Sequence, residues 1–117
     1  MSQYYPQGWQ MVRVSDRTIK IFASFSGGYT QGDSWKLNSG VTKIIEKNNL
    51  YNIYGYSGSV YIVHKKGEWL LSSYNRSVLD GMLEDAEKVV PGQVYCISME
   101  DVLSSLANYE IEYTKEE

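Results

Sequence analysis

Apolar and polar positions alternate in short runs over the first seventy residues, and after Tyr74 the spacing changes to that of a helix. Residues 9–14 read as a strand, 15–17 as a turn and 18–25 as a second strand, together a hairpin. Within 18–25, Ile19, Ile21, Ala23 and Phe25 share one face, while Thr18, Lys20 and Ser24 share the other. That period of two is the mark of a half-buried strand. Phe22 interrupts the polar face and signals a contact there. Residues 26–33 hold three glycines in eight positions and form a long loop. Further strands follow at 34–38, 41–46, 50–56, 59–64 and 68–71, with a bulge or bend at Ser39-Gly40 and turns between the others. The first half therefore predicts an antiparallel meander of five or six short strands.

In the second half, Val78, Leu79, Met82, Leu83 and Ala86 recur at helical spacing, with Asp80, Glu84, Asp85 and Glu87 on the far side. Ser77 is the expected N-cap, and Pro91-Gly92 stops the helix. Residues 94–97 make a short apolar strand. A second helix starts at Met99 behind Ser98 as cap, with Asp101 three residues on and an apolar stripe of Met99, Val102, Leu103 and Leu106. Residues 109–113 alternate as an edge strand. Strands followed by helices are the α+β pattern. The expected architecture is one domain over 1–117, frayed at 1–8 and 114–117. Two amphipathic helices pack on one face of the meander, and a Tyr-rich face is left for water or a partner.

Composition narrows what such a domain can do. The chain has 117 residues, a net charge of −3, and eleven Tyr and three Trp against two Phe. Phosphate neutralisation drives nucleic-acid binding, and this chain lacks the basic excess for it. One cysteine, Cys96, excludes an internal disulfide and a cysteine-based metal cluster. No apolar run approaches a membrane span, and the start has neither a basic nor an apolar leader region. The expected compartment is the cytoplasm, where the sequon at Asn75-Arg76-Ser77 stays unused.

Catalytic signatures are weak. Gly55-Tyr56-Ser57-Gly58-Ser59 approaches the nucleophile elbow but has Ser59 where the second glycine belongs, and strand-like sequence follows it. His64, the single histidine, ends an apolar strand beside Lys65 and Lys66. Cys96 lies in the apolar run Val94-Tyr95-Cys96-Ile97 and reads as a buried hydrophobe. The acidic helix face has no histidine at metal-ligand spacing. These readings predict a non-enzymatic protein with no catalytic residue, no metal and no cofactor.

The candidate binding residues sit in polar loops with aromatic neighbours: Tyr29, Trp35, Asn38, Tyr54, Tyr56, Ser57, Ser59, Tyr74, Asn75 and Arg76. Tyr and Trp supply rigid amphipathic contact area, and Ser, Gly and Asn supply adaptable hydrogen bonds. The same mixture suits a nucleotide pocket in which rings stack on bases, Ser-Gly turns hold phosphate by their N–H groups, and Arg76 adds charge. Ser, Gly and Asn are also simply what turns are made of.

The stretch Trp35-Lys36-Leu37-Asn38-Ser39-Gly40-Val41-Thr42-Lys43, continued by Gly55-Tyr56-Ser57-Gly58-Ser59-Val60-Tyr61, resembles segments of small bacteriophage proteins. In general character the chain is similar to phage anti-defence proteins, of the anti-CRISPR or signal-sponge type. That resemblance implies inhibition by stoichiometric binding of a host immune effector protein or of a nucleotide-derived signal molecule. It carries no ligand residues onto this chain. The alternative is a small structural or assembly protein that associates with itself through the edge strand at 109–113. A homodimer is also expected, since an uncovered sheet face or edge is commonly buried that way.

Overall fold

The computed structural model describes residues 2–15, 17–26 and 32–116. Its strands are β1 (Gln3–Tyr4), β2 (Gly8–Arg13), β3 (Ile19–Phe25), β4 (Ser34–Leu37), β5 (Val41–Lys47), β6 (Leu50–Gly55), β7 (Val60–His64), β8 (Tyr95–Ile97) and β9 (Glu112–Glu116). The α-helices are α1 (Ser73–Val89), α2 (Met99–Ser104) and α3 (Leu106–Tyr109), with a 3-10 turn at Lys65–Gly67. The α+β class holds, with strands dominant.

The single meander does not. Two sheets form, a five-stranded one in the order β1-β7-β6-β5-β9 and a four-stranded one in the order β4-β3-β2-β8. The expected hairpins survive as antiparallel runs inside each sheet, but both edges of the larger sheet are parallel pairs, β1 on β7 and β9 on β5. The bend at 38–40 is where the chain leaves one sheet for the other. Asn38 closes β4 against β3: its N–H donates to the Ile21 carbonyl at 3.2 Å, and its Oδ1 accepts from the Ile21 N–H at 2.9 Å. Gly40 then turns at φ 137°, a conformation that L side chains rarely adopt.

The main core lies between the sheets. Trp9 and Met11 of β2 and Ile19, Ile21 and Ala23 of β3 meet Ile44, Ile53, Tyr61 and Val63 of the other sheet, all buried. Full burial of one such side chain contributes roughly 1.5–3 kcal/mol. Trp9 keeps its polar handle satisfied, with Nε1 donating to the His64 carbonyl at 2.8 Å. The tyrosines expected on one wet face are divided between this core and the surface. Tyr61 belongs to this core, and Tyr4, Tyr51, Tyr109 and Tyr113 pack against it.

A second, smaller core explains Phe22. It lies on the outer face of β3 with Val12 and Leu79, flanked by Val78, Met82 and Leu83 of α1. The four-stranded sheet is therefore covered on both sides, by α1 outside and by the other sheet inside. The two helices do not share a face, since α2 sends Met99 and Val102 into the inter-sheet core instead.

Local boundaries shift for physical reasons. The helix expected from Ser77 begins a turn earlier, because the Ser72 hydroxyl accepts from the Asn75 N–H at 3.1 Å and caps it. Ser98 caps α2 as expected, accepting from the Asp101 N–H at 3.1 Å. Residues 68–71, expected as a strand, make a single bridge from Glu68 to Trp9. Glu68 is used elsewhere, accepting from the Met99 N–H at 2.7 Å and adding a second cap to α2. The edge strand expected at 109–113 falls later, because Tyr109 ends α3 and Glu110 reverses the chain at φ 55°. Residues 3–4, 8 and 114–116, read as frayed ends, are paired in β1, β2 and β9.

A buried carboxylate holds β9 in place. Glu46 of β5 accepts from Lys65 Nζ and from the Tyr113 hydroxyl. The hydrogen bond from Lys65, followed by that from Tyr113, holds its carboxyl below the ordinary 4.5. Accepting Glu46 in turn pushes the Tyr113 phenol up to about 12, so the donor keeps its proton. A carboxyl depressed on folding contributes stability above its unfolded value and loses it as pH falls through the folded one. Glu46→Gln is accordingly expected to cost about 2 kcal/mol near neutral pH. The gap from the parent should close as pH falls from 4.5 downward. Urea unfolding across that range checks it, and a gap independent of pH would contradict it.

Candidate functional site

Ten residues were candidates from sequence, and the structure distributes them. Tyr29 lies outside the described residues. Trp35, Tyr74, Asn75 and Arg76 gather where α1 begins beside β4. There Trp35 stacks on Phe22 at 5.6 Å between ring centroids. Asn75 is wholly buried, and its Nδ2 donates to Ser24 Oγ and to the Ser34 carbonyl, each at 2.8 Å. Arg76 donates to the Trp69 carbonyl at 3.2 Å. Asn38 Oδ1 and Asn75 Nδ2 thus serve to hold the fold. Tyr54 stands alone on the outer face of the five-stranded sheet, with Lys43 Nζ 5.8 Å from its ring centroid.

Tyr56, Ser57 and Ser59 form the turn after β6, at the opposite end of β3 from Trp35. Three of the N–H groups expected to cradle phosphate at this turn are engaged within the fold. Tyr56 N–H donates to the Gly40 carbonyl, Ser57 N–H to Ser39 Oγ, and Gly58 N–H to the Gly55 carbonyl. Arg76 is also too far round the fold to serve it, being at the start of α1.

What the turn does contribute is a wall. Tyr56 is 68% exposed. Its ring lies over Gly40, so close that a Cβ there would be 2.7 Å from Tyr56 Cε2. Arg17 and Thr18 of the β2–β3 turn and Asn108, Tyr109 and Glu110 from the end of α3 line the same hollow as Tyr56. Together with Ile19 and Val41 beneath, these residues enclose a half-open hollow of about 400 Å³. A second hollow of about 260 Å³ adjoins it, lined by Arg13, Arg17, Tyr95, Asn108 and Tyr109. Arg17, Asn108 and Tyr109 line both, so the two are lobes of one cleft.

The chemistry of the cleft is cationic and aromatic in a chain of net charge −3. Arg13 is fixed by donating to the Gln93 carbonyl and lies 5.5 Å from the Tyr95 ring centroid. Arg17 is exposed and holds a left-handed backbone at φ 66°. Glu110, which also lines the larger hollow, is left-handed as well. Non-glycine residues in this region are uncommon, and strain of this kind collects at functional sites. Guanidinium groups recognise phosphate or carboxylate by paired hydrogen bonds.

The single histidine and the single cysteine lie outside the cleft lining. His64 is exposed at the end of β7. Cys96 packs under α1, where burial pushes its thiol up. Among the described residues, no group of three His, Cys, Asp or Glu is placed to hold a metal ion. No described helix is long and apolar enough to cross a membrane.

Arg13, Arg17, Tyr95, Asn108 and Tyr109 went unremarked as site residues in the sequence. They come from three separate stretches, and only the fold brings them together. Comparison with family models, with curated proteins and with solved structures finds no match to this chain.

Proposed function

We propose that this chain acts by stoichiometric binding and catalyses no reaction, and that its ligand is a small nucleotide-derived anion held in the end cleft. One observation carries the reading: two arginines and two exposed tyrosines converge on one concave site of an otherwise acidic chain. Arginine matches phosphate geometry, and tyrosine rings stack on bases. The absence of His64 and Cys96 from the cleft lining favours capture over turnover. A phage-type protein that sequesters a host immune nucleotide signal would need this and nothing more.

The second reading, capture of a host immune protein, draws on the opposite end of the molecule. Trp35, Trp69, Leu70 and Tyr74 are exposed there, and aromatic residues of this kind anchor protein interfaces. The assembly reading has less support. Two β9 edges paired antiparallel about Thr114 would set Glu112 against Glu116, and like charges directly opposite are destabilising.

Thermal melting with millimolar AMP, cyclic AMP and ADP-ribose tests the proposal. A ligand at a hundred times its dissociation constant stabilises by about 2.7 kcal/mol, which raises Tm by several degrees in a domain of this size. The expected result is such a rise for at least one of the three, with the nucleotide recovered unchanged. No rise with any of them, or conversion of the nucleotide, would overturn it.

A further inference from the structure

Resting on the cleft reading above, we infer that the ligand carries two ring systems joined through a phosphate, one ring in each lobe and the phosphate at Arg17. The lobes differ in chemistry in a way that assigns the parts. Arg17 lines both lobes, which puts this exposed cationic residue where they meet. The larger lobe adds Glu110 and Tyr56. A carboxylate there opposes a phosphate seated deep in that lobe and suits the exocyclic amine of a base, which donates hydrogen bonds. The smaller lobe adds Tyr95, which is 44% exposed, and Arg13. Arg13 is already engaged by the Gln93 carbonyl and the Tyr95 ring, so it braces a stacking surface there.

Size points the same way. The smaller lobe, at about 260 Å³, falls below the range of roughly 300–1,000 Å³ usual for ligand pockets. The larger lobe sits at the low end of that range, at about 400 Å³. Joined, they make a site of ordinary size for a ligand with two ring systems. A mononucleotide would leave one tyrosine wall unused.

Calorimetric titration of the full chain with AMP and with the dinucleotide adenylyl-adenosine tests this. The dinucleotide is expected to bind at least tenfold tighter than AMP. Tyr95→Ala and Tyr56→Ala should each lower dinucleotide affinity about tenfold, the loss of one stacked base. Both side chains are exposed, so neither change threatens folding. If AMP binds and the dinucleotide binds no tighter, the two-ring inference falls while the cleft reading stands. The inference also falls if the dinucleotide ignores either tyrosine substitution. If neither nucleotide binds, both fall together.

Discussion

Replacing Gly8 with alanine is expected to remove a large part of the protein's stability. Gly8 opens β2 and pairs with Ser24 of β3. On its other side the chain before α1 passes in direct contact, so that a Cβ on Gly8 would lie 1.6 Å from the Leu70 carbonyl oxygen and 2.6 Å from its carbon. Those are backbone atoms and cannot rotate aside. Relief requires the 67–71 segment to move off β2. That motion breaks the hydrogen bond from the Trp69 N–H to the Trp9 carbonyl and exposes the fully buried Trp9 ring beside it. A loss of about 4 kcal/mol or more follows from displacing packed backbone and core together. Domains of this kind have roughly 5–15 kcal/mol in total. Urea unfolding followed by tryptophan fluorescence measures it, and a loss under about 1 kcal/mol would show that the close approach is not maintained in solution.

Replacing Arg17 with glycine should separate stability from function. The left-handed backbone at φ 66° costs an L-residue about 1–2 kcal/mol, and glycine adopts it freely. Greater freedom of glycine in the unfolded chain offsets part of that gain. The variant is therefore expected to be more stable than the parent by about 0.5–1 kcal/mol. The same change removes the side chain of a residue common to both lobes, and a charge-assisted hydrogen bond from its guanidinium is worth roughly 1.5–3 kcal/mol. Nucleotide affinity should fall about ten- to a hundredfold. Paired melts and titrations on one preparation read both quantities. Undiminished affinity would remove Arg17 from the site, and a drop in stability would mean that its side chain supports the fold.

The strand β3 was legible because Ile19, Ile21 and Ala23 keep a period of two on the face toward the inter-sheet core. Phe22 announced the second core before any partner was visible. Sheet membership was not legible. Asn38-Ser39-Gly40 has the composition of a bulge, and nothing local distinguishes a bulge from a corner that carries the chain to another sheet. The parallel partner of β9 is the β5 strand some seventy residues earlier, a pairing set by Glu46 and Tyr113 meeting in space. The start of α1 was obscured because Ser72 to Asn75 are turn-type residues. That vocabulary is shared by loops, caps and buried amides, so Asn75 looked like a contact residue and is a wholly buried hydrogen-bond donor. The cleft was the least legible part. Arg17, Tyr56, Tyr95 and Asn108 have no spacing to detect, and the left-handed backbones of Arg17 and Glu110 exist only in three dimensions.

The central claim is that the cleft beside Arg17 is where this protein holds its ligand. Titrating the isotopically labelled chain with adenylyl-adenosine and following backbone amide resonances tests it most directly. The account predicts saturable shifts confined to the neighbourhoods of Arg13, Arg17, Tyr56, Tyr95 and Asn108, with the α1 start near Trp35 and Tyr74 unmoved. Shifts centred on Trp35, Tyr74 and Arg76, or no shifts at millimolar ligand, would contradict it.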